Sequence, residues 1–197
     1  VVLADDTTYE LDVCGPPDAQ EDQNLDGDLD HAPPTFQALT VFGHGATIRQ
    51  TCPGERVLHH RPSAALELLE LAVTGGDADG PGGGIRLDGS GGRLLTGDVE
   101  VVGNQATGTG GGIDNTGIQT VLVDSTLAEN RSGDVGGGVH SPGSTALQVL
   151  RSTISHNTAG LAGGGLYANA PELIDSTIVA NRVLPVEGSA FGANLFA

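Results

Sequence analysis

Four copies of one motif in the second half of the chain constrain its fold more than any other feature of the sequence. In each copy, three consecutive glycines precede an aliphatic residue. The copies begin at Gly82, Gly110, Gly136 and Gly163, at offsets of 28, 26 and 27 residues. A fixed period in this range is typical of stacked repeats, none of which can bury its own apolar face. The sequence therefore predicts a solenoid in which each repeat forms one coil.

A short β-prone run in each repeat predicts which side chains form the core. Alternation along a strand places every second side chain on the same face. The side chains predicted to point inward are Val101, Leu127, Ile154 and Ile178, then Val99, Ser125, Ser152 and Ser176, and then Val123, Leu150 and Ile174. Those predicted to point outward are Thr126, Thr153 and Thr177.

The asparagine that ends each of these runs predicts a structural ladder. The four residues are Asn104, Asn130, Asn157 and Asn181. Parallel strands of consecutive coils lie ~4.8 Å apart, so each asparagine would lie over the next. Asparagine tolerates the left-handed turn conformation and can bond to an asparagine in the coil above. N-glycosylation is the alternative, but among the four only Asn130 begins an Asn-x-Ser/Thr triplet, so the ladder is favoured.

The whole pattern predicts an all-β fold, a single right-handed parallel β-helix (solenoid) of about six coils of 24–28 residues. The β-helix would occupy residues 39–197. Residues 1–38 are acidic and proline-containing and are predicted to form an irregular N-terminal segment or cap. Residues 65–73 have the propensity of a helix. They lie one period before the repeats and end in Thr74-Gly75-Gly76, so a strand is favoured.

Charge excludes several classes of partner. The net charge is −17, with 25 acidic against 8 basic residues, and all the basic residues are arginine. A phosphate backbone or an anionic lipid surface needs a basic protein surface, so we expect no nucleic-acid partner. No run approaches the ~18 apolar residues of a membrane span. The chain begins at Val1 without a signal peptide, and we expect a processed or trimmed product.

Two cysteines, Cys14 and Cys52, indicate the compartment. An even pair in an otherwise cysteine-free acidic chain predicts one disulfide and an oxidising environment. The bridge would tie the N-terminal segment to the first coils. Two buried free thiols are the alternative.

The repeats resemble those of right-handed parallel β-helix proteins secreted by bacteria. The resemblance lies in the Gly-Gly-Gly-Ile motif followed by Ser-Thr-Ile/Leu-x-x-Asn in each coil. Residues 24–30 and 39–48 also resemble the opening coils of the CSLREA-type and polymorphic-outer-membrane-protein-like repeat proteins. The likeness covers about residues 24–185 and implies the fold. It implies no single function, because adhesins, surface-coat proteins, pectate lyases, glycoside hydrolases and epimerases share this fold.

An acidic loop near the N-terminus predicts calcium as a cofactor. Oxygen ligands stand at every second residue around Gly27, as in a calcium loop. The predicted ligands are Asp22, Asn24, Asp26, Asp28 and Asp30. The pattern departs from the loop at its twelfth position, where Pro33 replaces the bidentate glutamate. The alternative is an acidic loop that leads into a first strand.

No catalytic residues are predicted. Gly43-His44-Gly45 matches a short motif of polygalacturonases, but the aspartate pair and basic residue that those β-helix enzymes need are missing, so a turn between two strands is favoured. The histidines at 59, 60, 140 and 156 do not have metal-ligand spacing. The sequence pairs no arginine of the repeats with stacked acids, and the row of Asp98, Asp124, Arg151 and Asp175 is interpreted as alternating surface charge.

These observations predict a secreted, extracellular or cell-surface structural or adhesive protein, with a surface or a polysaccharide as a possible partner. The alternative is a polysaccharide-active enzyme, a lyase or a glycoside hydrolase. The last ten residues resemble the start of a further coil and carry no charge. An uncovered last coil presents apolar interior and strand edges. Such an end either continues into further sequence or is covered by another copy. The second alternative predicts end-to-end self-association into filaments through Phe191, Leu195 and Phe196.

Overall fold

The computed structural model describes residues 1–14, 28–31, 38–61, 64–89, 91–143, 146–184 and 192–196. In these ranges the chain forms 22 strands and no helix, and all the strands pair in parallel. The strands stack coil on coil as a β-solenoid of about six turns, which confirms the predicted fold class. Among these residues, no helix is long and apolar enough to cross a membrane.

Three sheets run along the solenoid, and the strands are numbered in chain order. The first sheet contains β1 (Thr8–Leu11), β3 (Leu39–Gln50), β5 (Ala65–Thr74), β8 (Arg93–Val102), β11 (Gln119–Val123), β12 (Thr126–Ala128), β15 (Leu147–Leu150), β16 (Thr153–Ser155), β19 (Glu172–Ile174) and β20 (Thr177–Val179). The second contains β2 (Leu29–His31), β4 (Leu58–His60), β7 (Ile85–Leu87), β10 (Ile113–Asn115), β14 (Val139–Ser141), β18 (Leu166–Ala168) and β22 (Leu195–Phe196). The third contains β6 (Asp77–Ala78), β9 (Gln105–Ala106), β13 (Arg131–Ser132), β17 (Thr158–Ala159) and β21 (Arg182–Val183).

The core consists of inward side chains that stack in rows from coil to coil. In the first sheet Leu127 pairs with Val101 on one side and Ile154 on the other, and all three are buried. In the second sheet one row contains Leu29, Leu58, Ile85, Ile113, Val139, Leu166 and Leu195. The predicted strand at 65–73 is confirmed as β5, which contributes Leu66, Leu68, Leu71 and Val73 to the same core.

The three glycines of the repeated motif form a narrow corner between the third and second sheets. The first glycine has a positive φ, for example 63° at Gly110 and 68° at Gly136. A Cβ on Gly110 would lie 2.7 Å from the Cβ of Asp114, an outward side chain of β10. A Cβ on the third glycine, Gly112, would lie 3.0 Å from the amide nitrogen of Asn130. These positions require glycine because side chains and backbone on both sides of the corner lie too close to admit a Cβ.

A left-handed residue between β11 and β12 corrects part of the predicted facing. Asp124 has φ 49°, and this bend resets the alternation of side chains along the chain. Leu122 and Ser125 are therefore buried, whereas Val123 lies on the outer side. The prediction that Val123, Leu150 and Ile174 point inward is wrong for this reason: the first two are half-buried and Ile174 is exposed.

The asparagines form a continuous buried row behind the glycine corner. The side-chain oxygen of Asn157 accepts from the backbone N–H of Asn130 at 2.9 Å and from its amide at 3.0 Å. The Asn130 amide also donates to the carbonyl of Val101 at 2.8 Å. The same bonds link Asn104 to Asn130, Asn157 to Asn181 and Asn181 to Asn194. The left-handed residue is the one before each asparagine, such as Glu129 with φ 59°, and not the asparagine itself.

The segment 1–38, predicted to be irregular, contributes two strands to the solenoid. β1 pairs with β3, with Thr8 opposite Thr47, and β2 pairs with β4. Both strands are short, and they lie in an acidic, proline-containing segment. Their alternation of apolar and polar residues is therefore too brief to predict a strand from the sequence. The predicted disulfide between Cys14 and Cys52 is confirmed, with the Cα atoms 5.3 Å apart. The alternative of two free thiols is wrong.

Asn130→Ala should lower the free energy of unfolding by about 1–3 kcal/mol, because it leaves the buried N–H of Asn104 without its acceptor. Chemical denaturation of the two proteins measures the difference. Thr126→Ala, at a half-buried outward position of the same coil, is the control and should change it by less than about 0.5 kcal/mol. Equal losses in the two variants would contradict a special role for the ladder.

Candidate functional site

One row of outward side chains crosses all seven strands of the second sheet, and we call it the outer row. Its members are Asp30, His59, Arg86, Asp114, His140, Tyr167 and Phe196. Parallel pairing places neighbouring members ~4.8 Å apart. Residues that are 26–29 positions apart in sequence therefore become direct neighbours, and acids, bases and aromatic rings meet on one face of the coil.

His59 is the centre of the N-terminal part of the outer row. Its side chain is only 2 % exposed, and its Nε2 lies 2.7 Å from Asp88 Oδ2. Its Nδ1 lies 3.6 Å from Asp30 Oδ1. The other oxygen of Asp88 accepts from Arg86 Nε at 3.0 Å. Asp88, which directly follows β7, thus contacts His59 on β4 and also pairs with Arg86 of its own strand.

These contacts lower the pKa of Asp88. The hydrogen bond from His59 is the largest cause, burial opposes it, and the hydrogen bond from Arg86 adds to it, so the pKa falls from 3.8 to about 2. A hydrogen bond to the ionised carboxylate favours that form. Asp88 is therefore ionised at neutral pH.

Asp28, Asp30 and His59 form a group that could hold a metal ion. One ligand atom from each lies within 4.8 Å of the others. Two guanidinium groups stand beside it, because Arg56 Nη1 lies 3.5 Å from Asp28 and Arg61 Nη2 lies 3.8 Å from Asp30. The remaining predicted calcium ligands, Asp22, Asn24 and Asp26, lie outside the described residues. The spacing of residues in the sequence does not reveal His59 as a candidate ligand, because only the pairing of β2 with β4 places it beside Asp30.

Asp114 and His140 form a second pair farther along the row, in which Asp114 is buried and His140 is partly buried. Asp114 is completely buried, and its Oδ1 lies 2.7 Å from His140 Nδ1 and accepts from the Thr109 hydroxyl at 2.6 Å. Its Oδ2 is buried without a hydrogen-bond partner among the described residues. A carboxylate on Nδ1 orients the imidazole and makes Nε2 the outer nitrogen. This arrangement could serve in acid–base chemistry.

Aromatic rings complete the row at its C-terminal end. The rings of His140 and Tyr167 have centroids 5.5 Å apart, and those of Tyr167 and Phe196 are 5.1 Å apart and nearly parallel. Two of the residues predicted to mediate assembly, Leu195 and Phe196, lie on β22 at the end of the second sheet. The third of them, Phe191, lies outside the described residues.

The structure corrects two further interpretations of the sequence. Arginines of the repeats do pair with acids of the neighbouring coil: Arg93 donates to Glu67 at 2.8 Å, and Arg151 makes two 2.7 Å bonds to Asp124. Gly43-His44-Gly45 is not a turn between two strands. It lies inside β3, where the pairing register shifts between Phe42 and Ala46, so the tripeptide forms a bulge.

Asp88→Asn should make the protein less sensitive to acid. Because the folded pKa of Asp88 lies below 3.8, its contribution to stability is present above about pH 4 and is lost as the pH falls toward 2. The full shift corresponds to about 2 kcal/mol, which solvent screening at a partly exposed group reduces to about 1 kcal/mol. Denaturation at pH 6 and at pH 2.5 should show a smaller loss in the variant than in the wild type.

Asp124→Asn is the matched control for that experiment. The pKa of Asp124 is also lowered, by its hydrogen bond to Arg151, but both side chains of this pair are exposed to solvent. Exposed pairs contribute little to stability. An Asp124→Asn effect as large as that of Asp88→Asn would contradict the importance of the buried histidine.

Comparison with known proteins identifies no relative of this chain. No protein-family model matches it, and no curated protein or solved structure matches it either. Its function must therefore be inferred from its own residues and geometry.

Proposed function

We propose that this chain is a structural or adhesive module of a secreted or cell-surface protein, a short rod that stacks end to end. One observation carries the proposal: its polar side chains join each coil to the next. Pairs of side chains one coil apart include Thr40–Glu67, Glu67–Arg93, His59–Asp88, Asp114–His140, Asp124–Arg151 and Gln148–Glu172.

Because these polar side chains pair with one another between coils, they favour a structural role over a catalytic one. An active site needs a nucleophile, a base and stabilising donors around an open position for the reacting atom. In the outer row His59 and Asp114 are buried, and each already contacts a titratable neighbour, Asp88 and His140 respectively. Asn104, Asn130 and Asn157 are likewise engaged inside the core. The bonds run along the rod, so they support a solenoid that resists bending and unwinding.

Extracellular placement is part of the proposal and is supported by the disulfide between Cys14 and Cys52, which persists in oxidising compartments. The net charge of −17 keeps such a surface soluble by self-repulsion. Kinship with the CSLREA-type and polymorphic-outer-membrane-protein-like repeat proteins is proposed on the repeat motifs alone. A surface or a polysaccharide is proposed as the partner of this acidic chain.

A polysaccharide-active enzyme is the second candidate, and the Asp114–His140 pair favours it. The oriented imidazole could accept a proton, and Arg86 precedes Asp114 in the same row. Tyr167 and Phe196 add aromatic surface next to the pair. These groups lie on one face of the coil, as a linear polymer laid along the rod would require.

Assays on a panel of plant, algal and bacterial polysaccharides distinguish the two candidates. Reducing ends report hydrolysis, and the absorbance of unsaturated products reports elimination. We expect no turnover above a heat-denatured control; retention on a polysaccharide without turnover would fit the adhesive role. Turnover that is lost in His140→Gln and Asp114→Asn, but kept in Asp124→Asn, would overturn the proposal in favour of the enzyme.

Calcium binding at the N-terminal acidic loop is proposed on the alternating oxygen ligands from Asp22 to Asp30. Millimolar calcium should raise the melting temperature relative to EDTA, by mass action on the folded state. Asp26→Asn should abolish the gain, and Asp12→Asn, an acid outside the pattern, should keep it. Stabilisation by zinc but not by calcium would assign the ion to His59 with Asp28 and Asp30 and would reject the loop.

A further inference from the structure

We propose that one outer face of the first sheet docks onto the same face of a second copy, with the two solenoids side by side and antiparallel. The face consists of the outward side chains of the strand segments that precede the bend at Asp124. It lies on the side of the solenoid, so the contact differs from the end-to-end stacking proposed above. Its central feature is a row of outward residues that we call the apolar row: Phe42, Leu69, Gly97, Val123, Leu150 and Ile174.

The apolar row differs from the outward row on the other side of the bend. In the described part of the chain, it runs through six coils without a polar side chain. Phe42 and Ile174 are each 40 % exposed, and the other members are half-buried. Across the bend, the next outward row of the same sheet contains Thr47, Glu100 and Thr126. A contiguous apolar stripe on a surface marks an interaction site.

A second outward row lies beside the apolar row and has polar ends. Its members are Thr40, Glu67, Leu95, Val121, Gln148 and Glu172. The two central members are aliphatic and half-buried. At the ends, Thr40 donates to Glu67 at 3.0 Å and Gln148 donates to Glu172 at 2.6 Å. An apolar centre within a polar rim is the composition of a protein–protein interface.

Charged or titratable side chains border the apolar row on its other side. They are the left-handed residues of the bend, with φ between 46° and 55°: His44, Glu70, Asp98, Asp124, Arg151 and Asp175. Within one copy, His44 Nδ1 lies 3.7 Å from Glu70, and Arg151 makes two bonds to Asp124. The order of charges differs between the two halves of this border, so it can select one relative orientation of two copies.

A two-fold axis perpendicular to the rods, midway between the coils of Gly97 and Val123, matches the apolar row to itself. Leu69 then faces the partner's Leu150, and Phe42 faces the partner's Ile174. Gly97 faces the partner's Val123, and the missing side chain of the glycine leaves room for the valine. Such a contact uses the same patch on both copies and closes as a dimer.

The same axis also matches the polar borders. It sets Glu70 against the partner's Arg151, and His44 against the partner's Asp175. Asp98 meets the partner's Asp124, whose charge Arg151 already offsets. In the second row, carboxylates face a hydroxyl and an amide, because Thr40 meets the partner's Glu172 and Glu67 meets the partner's Gln148. This complementarity identifies a second copy as the occupant.

Other arrangements of two copies place like charges together. A two-fold axis along the rods would set Glu70 against the partner's Glu67, and Asp175 against the partner's Glu172. Moving the perpendicular axis by half a coil in either direction would set Glu70 against the partner's Asp124 or Asp175. Like charges in contact reject the wrong orientation, so the antiparallel register with its axis beside Gly97 is favoured.

The size of the face determines how strong the contact is. Six strands make it about 24 Å long, and five residues with their side chains make it about 20 Å wide. Contact between two such faces would bury about 1,000 Å², the lower limit of specific interfaces. Each copy carries −17, and screening limits this repulsion to about 8 Å at physiological ionic strength. We therefore expect a reversible dimer at high protein concentration.

Sedimentation equilibrium of the full chain tests the surface. The wild type should dimerise as its concentration rises toward the millimolar range. Leu150→Asp should weaken dimerisation at least about tenfold, because two-fold symmetry places two carboxylates in the apolar centre. Thr153→Asp, on the outward row across the bend in the same coil, is the matched control and should dimerise like the wild type. Melting curves should show that both variants are folded.

Cross-linking between single-cysteine variants tests the orientation. The reagent is a bismaleimide about 10 Å long, the distance between packed sheets. A mixture of Leu69→Cys and Leu150→Cys should cross-link, because these positions face each other across the axis. Leu69→Cys alone should not, because its two copies lie three coils apart along the rods, about 17 Å across the contact.

Three results would overturn the side-by-side contact. They are a wild type that stays monomeric in the millimolar range, equal dimerisation of Leu150→Asp and Thr153→Asp, and cross-linking of Leu69→Cys with itself, which would indicate parallel rods. None of them would remove the structural function, which the polysaccharide assays test separately.

Discussion

Each coil must change direction several times, and at every bend backbone N–H and C=O groups lose the partners that a straight strand provides. Buried groups of this kind must find other partners. At one corner Asn104, Asn130 and Asn157 supply them, since each side-chain amide donates to the asparagine of the next coil and to a carbonyl of the preceding coil. At the other bend Ser125 and Ser152 play the same part. The rest of the core can then consist largely of aliphatic rows.

The glycine corner follows from the asparagine row. Gly84, Gly112 and Gly138 lie against the asparagine amides, where a Cβ would come within about 3.0 Å of the amide nitrogen. On the other side of the same corner, Gly110 and Gly136 leave room for Asp114 and His140. The repeated motif thus serves the inner ladder and the outer row together, which brings titratable side chains onto the second sheet at a constant spacing.

The sequence predicts what repeats and misses what depends on a bend or on strand pairing. The period and the asparagines indicate the coils, and the two cysteines indicate the disulfide. The predicted inward facing of Val123 is wrong because Asp124 adopts the left-handed conformation. Aspartate occurs in strands as well as in turns, so the residue type alone does not reveal this bend. His59 and Asp88 are 29 positions apart, and only the register of β4 on β7 makes them neighbours. No local motif could have shown this contact.

The ladder bonds also bear on how such a chain changes its length. Asn104, Asn130 and Asn157 make equivalent contacts with the coils on either side, so one repeat could replace another while the ladder bonds are kept. Recombination between repeats would then add or remove a whole coil, and the rod would lengthen or shorten by ~4.8 Å at a time. The outer row would change with each event, because Arg86, Asp114, His140 and Tyr167 differ from coil to coil. Gain or loss of whole coils would therefore preserve the solenoid scaffold and change the side chains that the outer row presents at the surface.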